Sequence, residues 1–109
     1  MQKATWTGGR DERDRPHGRG TLSLDGVRYE GQMAHGKRKG RGTLFVDEGD
    51  GHMSALRAKW HHDMPQGPGT FVEPDGGRIA GSWCDGVLEG CVHEEHPDGT
   101  LRFLGEYYG

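Results

Sequence analysis

The chain has 109 residues, of which 30% are hydrophobic, 21 are glycine and only 5 are proline. That is one domain's length, well short of the roughly 45–50% apolar content of ordinary globular domains, and it argues against a compact two-layer core in favour of a thin, elongated sheet. A formal net charge of −3 and a pI of about 6.1 exclude a global pull toward nucleic acid or anionic lipid. Neither an N-terminal apolar h-region nor a run of ~18 apolar residues is present, which predicts an intracellular chain, nuclear or cytoplasmic.

Residues 1–16 read as an N-terminal arm or partial hairpin. Thr5-Trp6-Thr7 fits the closing end of a strand, and Arg10 to Arg15 alternate charges as a solvated loop does. From His17 the chain repeats itself. Openings at Gly18, Gly40, Gly67 and Gly90 are 22, 27 and 23 residues apart, the second unit carrying an insertion through Asp47, Glu48 and Asp50. The units run approximately 17–40, 41–67, 68–90 and 91–109. Each returns through a segment of period two, clearest in Ile79-Ala80-Gly81-Ser82-Trp83, which is the pattern of a half-buried β-strand.

Stacking the returning strands aligns three columns on one face: Tyr29, Leu56, Ile79 and Phe103; then Gly31, Ala58, Gly81 and Gly105; then Met33, Trp60, Trp83 and Tyr107. Intervening residues such as Arg28, Glu30, Arg57 and Lys59 face the other way. A glycine column weakens a sheet unless something must lie close to the backbone. Here the expected occupants are aromatic rings from neighbouring strands, each able to bury ~150–250 Å². Asp25-Gly26, Asp75-Gly76 and Asp98-Gly99 are strong hairpin signals, because tight hairpin turns need positive φ. The expected fold is all-β: an elongated single-layer antiparallel sheet of about four successive hairpins, eight strands in all, stabilised through nearest-neighbour contacts.

Tyr29-Glu30-Gly31, the following Gly36 and the Gly40-Arg41-Gly42 step resemble the MORN repeat, and the likeness recurs in register over residues 17–109. It departs at Ala58, at Asp63 in place of a turn glycine, and at Val92 in the fourth unit. The run from Asp75 to Gly81, the turn from Asp85 to Gly90 and the stretch from Asp98 to Tyr107 are further similar to the MORN region of SET-domain histone-lysine methyltransferases. That resemblance implies a longer parent that methylates lysines with S-adenosylmethionine. It places no catalytic or cofactor-binding residue on these 109 residues, because no SET motif is among them.

Candidate chemistry is sparse. Cys84, Cys91, His93 and His96 have metal-ligand types but no standard spacing, and Cys84 and Cys91 read as free thiols. His61 and His62, as neighbours on a strand, would point to opposite faces. Lys37, Arg38 and Lys39 with Arg41 form a basic cluster read as a turn with every charge in solvent, able to meet anionic lipid headgroups. Trp60 and Trp83 are expected to pack on the sheet rather than form an open binding surface. No nucleophile triad, phosphate loop or carboxylate pair stands out. The sequence thus predicts a non-enzymatic scaffold without cofactor or metal, binding a protein partner or an attached C-terminal domain and no nucleic acid. Its alternatives are a phosphoinositide tether and the front end of a methyltransferase.

Overall fold

A computed structural model describes residues 4–107. They form one open antiparallel sheet: β1 (Thr5–Arg10), β2 (Pro16–Leu24), β3 (Val27–Ala34), β4 (Lys37–Asp47), β5 (Met53–His61), β6 (Met64–Val72), β7 (Arg78–Cys84), β8 (Val87–Glu95) and β9 (Leu101–Tyr107). The strands lie side by side in chain order. The expectation of all-β hairpins in series therefore holds, with nine strands among the described residues rather than eight.

The additional strand is β1, whose Trp6 pairs with Leu22 and Thr7 with Thr21. The β1–β2 loop carries no Asp-Gly signal. Its geometry comes from the Asp11 carboxylate, which accepts the backbone N–H groups of Arg13 and Arg15 and the Arg15 Nε–H at 2.8–2.9 Å. His35 Nδ1 lies 2.7 Å from the same carboxylate. Burial pushes the Asp11 pKa up, but the bonds from His35, Arg15 and Arg13 together outweigh it and hold the acid well below its ordinary range.

Register carries the three columns across the sheet. Trp6, Leu22, Tyr29, Leu44, Leu56, Phe71, Ile79, Glu94 and Phe103 stand in one row. Gly8, Gly20, Gly31, Gly42, Ala58, Gly69 and Gly81 form the next. In the third, Met33, Trp60, Trp83 and Tyr107 face the opening glycines Gly18, Gly40, Gly67 and Gly90.

The glycine row leaves room for rings. A Cβ on Gly20 would sit 2.6 Å from Trp6 Cη2, and one on Gly42 would sit 2.5 Å from Tyr29 Cε1. Trp6, Tyr29, Met33, Ala58 and Trp60 are buried as one cluster, with Leu22, Leu44 and Leu56 against it. Tyr29 meets Trp60 edge-on at 5.7 Å. Their polar tips bond to backbone, as buried Tyr and Trp require: the Tyr29 hydroxyl donates to the Gln32 carbonyl at 2.7 Å and Trp60 Nε1 to the Gly42 carbonyl at 3.0 Å. Burial pushes the Tyr29 pKa up to about 12.

All three Asp-Gly pairs fall in hairpin turns, between β2 and β3, β6 and β7, and β8 and β9. Positive φ falls on Gly26, Gly76 and Gly99 but not on the aspartates before them. Left-handed pairs, which type I′ hairpins need at both positions, occur at His35-Gly36, Asp50-Gly51, His62-Asp63 and Asp85-Gly86. Asp63 adopts φ +67° without being glycine. Its carboxylate accepts the Arg38 N–H at 2.8 Å, tying the turn to β4.

Toward β9 the packing changes. Val92 occupies the glycine row and is fully buried, whereas Phe103 is 39% exposed. Glu94 takes the place in the first row held elsewhere by an apolar side chain. It accepts from Arg102 Nε at 3.0 Å and from the Tyr107 hydroxyl, while Arg102 Nη1 donates to Glu73 at 2.7 Å. The bond to Glu94 raises the Tyr107 pKa.

Candidate functional site

Because the rings lie on one face, the other presents the alternate residues of each strand. On it, a groove of about 750 Å³ crosses β2 to β7. Its floor is the backbone of Gly42, Ala58, Gly69 and Gly81; Arg19, Arg41, Lys59 and Pro68 flank one side, and Glu30, Thr43, Arg57, Thr70 and Ala80 the other. The row that makes room for rings on one face thus leaves bare backbone on the other.

Four of the lining residues are cations. Arg19, Arg41, Arg57 and Lys59 enter no ion pair among the described residues. The single acid in the lining, Glu30, is bonded to Arg28 at 2.8 Å. Arg41 and Lys59 stand directly opposite across the β4–β5 ladder. Like charges in that position repel, so folding alone gives no reason for the pair. The arrangement can receive an anionic group, with Thr43 and Thr70 hydroxyls available as hydrogen-bond partners.

The predicted basic cluster is not a turn. Lys37, Arg38 and Lys39 open β4, and the period of two divides them. Arg38 turns to the aromatic face: its guanidinium lies 4.7 Å from the Trp60 ring centroid, and it donates through Nε and Nη2 to Asp63 at 3.2 and 3.0 Å. It is therefore not a free solvent charge. Lys37 and Lys39 are exposed, and only Arg41 of the four reaches the groove. Sequence reasoning does not single out Arg19, Arg57 or Lys59 as a site. The signal for them is positional, since each is a chain neighbour of a glycine-row residue.

Other candidates stay apart. Cys84 pairs with Val87 and Cys91 with Glu106, both thiols being free and exposed. His93 Nε2 lies 3.2 Å from Glu95, and no group of three metal-ligand residues is gathered among the described residues. The His61 and His62 rings, expected to diverge, meet edge-on with centroids 4.0 Å apart, because His62 is left-handed in the turn. Trp60 and Trp83 are buried against the sheet.

The MORN repeat family model matches residues 12–25, 29–49 and 58–78, together just over half of the chain. The chain belongs to the MORN-repeat family. No curated protein matches it. The matched segments of this MORN sheet carry Arg19, Arg41 and Lys59 and end before the β8–β9 hairpin, where Val92 stands in the glycine row.

Proposed function

We propose that this MORN sheet is a non-catalytic interaction scaffold whose basic groove receives an acidic segment of a protein partner or of an attached domain. MORN repeats generally mediate protein or membrane interaction. The observation that carries the choice is the set of four unneutralised cations around exposed glycine backbone, two of them facing each other across one ladder. Six strands at ~4.8 Å spacing make the groove about 24 Å long, the span of about seven extended residues. The likeness of the third and fourth units to the SET-domain methyltransferases supports a catalytic domain as one such partner, the repeats presenting its protein substrates.

The test is fluorescence anisotropy with a labelled Glu-Gly repeat peptide, a Gln-Gly peptide serving as control. Selective binding of the acidic peptide that weakens with salt and at least about tenfold in Arg57→Gln/Lys59→Gln is the expected result. Equal binding of both peptides, or of wild type and variant, defeats the proposal. Sedimentation with anionic vesicles that depends on Lys37 and Lys39, without peptide binding, replaces it with the membrane reading. Methyl transfer from S-adenosylmethionine by this chain overturns its non-catalytic character.

A further inference from the structure

The groove is not evenly basic along its length. Three of its four cations gather on β4 and β5. Arg41 faces Lys59 across the ladder, and Arg57 stands two residues from Lys59 on the same face, diagonal to Arg41. All three residues are exposed, and diagonal positions of this kind lie about 7–8 Å apart, a separation that long side chains bridge. Arg57 has a threonine on either side, Thr43 from β4 and Thr70 from β6. Neither hydroxyl enters a side-chain hydrogen bond among the described residues. Glu30, the next member of that row, is held by Arg28. Arg19 stands apart, since its partner on β3 is Gln32 and two strand spacings, about 10 Å, separate it from β4.

The composition of this set points past a carboxylate. A carboxylate carries one negative charge, which a single bidentate guanidinium matches. Three unpaired cations and two free hydroxyls around one point instead match a phosphoryl group, with a charge of about −1.5 to −2 and three strong acceptor oxygens. The planar Arg57 fork can engage two of those oxygens. Thr43 and Thr70 can donate from its two sides, and Lys59 with Arg41 supply the remaining charge. The shape of the site indicates what carries the group. Its floor is backbone flanked by side chains on both sides, a trough that admits an extended chain. A bilayer surface would sooner meet Lys37 and Lys39, exposed at the start of β4.

We infer that the groove holds a phosphoryl subsite centred on Arg57, and that the protein segment it receives is phosphorylated at the residue docked there. Arg19 is left for a carboxylate farther along the same segment. This rests on the groove being an acidic-segment site and adds the identity of its central ligand. Docking then reports the phosphorylation state of the partner.

The experiment compares two peptides by fluorescence anisotropy: the Glu-Gly repeat with phosphoserine at its centre, and an all-Glu version of equal total charge. Two variants keep the charge of the groove. Arg57→Lys removes the planar fork, and Thr43→Val/Thr70→Val removes both hydroxyls. The phosphopeptide should bind wild type at least about tenfold more tightly than the all-Glu peptide. In each variant that preference should fall below about threefold, with all-Glu binding within about twofold of wild type. Equal affinity of the two peptides for wild type overturns the subsite and leaves the acidic groove standing. A preference that survives in both variants overturns it as well, because the phosphate is then held elsewhere. Phosphopeptide binding without all-Glu binding upholds the subsite and defeats the general acidic reading. Binding of neither peptide defeats both, and sedimentation with phosphatidic acid vesicles in that case assigns the cations to a lipid headgroup.

Discussion

The β2–β6 region and the β7–β9 region share one backbone plan but hold it together differently. In the first, rings close on glycine: Tyr29 is 1% exposed over Gly42, and Trp60 closes beside it. In the second, the corresponding room is filled by Val92 from within the row, and the outer layer is polar, with Arg102 linking Glu73 to Glu94 and Tyr107 bonded to Glu94. A hairpin array therefore does not need the same core in every unit. Each unit needs only to satisfy its neighbours, so the two regions should respond differently to the same kind of mutation.

Truncating the ring in each region gives the largest contrast. Tyr29→Ala removes a buried ring, opens a cavity and leaves the Gln32 carbonyl without its donor. The cost should be about 3–5 kcal/mol, a fall in Tm of at least about 12 °C for a domain of this size. Phe103→Ala removes a ring already 39% exposed and should cost below about 1 kcal/mol. Thermal melts followed by circular dichroism check both. Equal losses would show that the ends are not built differently.

The ring-bearing face was legible because its signal is local. Period two fixes which residues share a face, and Trp60 and Trp83 are too large to be placed elsewhere once glycines stand beside them. The strand β1 was less legible, since the Asp11 carboxylate shapes its turn through contacts that no dipeptide reveals. The groove was hidden for a different reason. A contiguous run such as Lys37-Arg38-Lys39 draws attention, yet a strand sends alternate members to opposite faces and Arg38 is held by Asp63 and Trp60. Arg19, Arg41, Arg57 and Lys59 lie up to 40 residues apart in the chain and become neighbours only through register. Glu94 in an otherwise apolar row is likewise explained only by the positions of Arg102 and Tyr107.

Adding one methyl group sharpens the contrast further. Neither Gly42 nor Gly105 has the left-handed φ that would disfavour alanine, so the substitution tests the space above the backbone and little else. At Gly42 the Cβ meets the immobile Tyr29 ring, and Gly42→Ala should destabilise by about 1–3 kcal/mol. At Gly105 the Cβ would stand 2.6 Å from Phe103 Cζ, the far end of an exposed ring that can swing outward. Gly105→Ala should be neutral or stabilise by up to about 1 kcal/mol, because alanine has fewer unfolded conformations to lose. Denaturant midpoints at unchanged m-value decide the matter. A matching loss at Gly105 would mean that Phe103 is as firmly held as Tyr29.

The smallest effect concerns the acids at the two ends. Asp11 in the β1–β2 loop is 2% exposed and encircled by Arg13, Arg15 and His35; Asp98 in the β8–β9 loop is exposed and bonded to Thr100. The Thr100 bonds lower the Asp98 pKa, and the bonds from His35 and Arg15 outweigh burial in lowering that of Asp11. A carboxyl more acidic in the folded chain than in the unfolded one stabilises fully above its unfolded pKa of ~3.9. That contribution is lost as pH falls toward the folded value. Asp11→Asn should therefore melt below wild type at pH 7, and the gap should close as the pH falls below about 4. Asp98→Asn should follow the same course with a smaller gap, because solvent screens an exposed acid. A gap at Asp11 that persists unchanged at low pH would assign the loop's stability to shape rather than charge, and the N-terminal turn would then resemble the β2–β6 region in being held by packing alone.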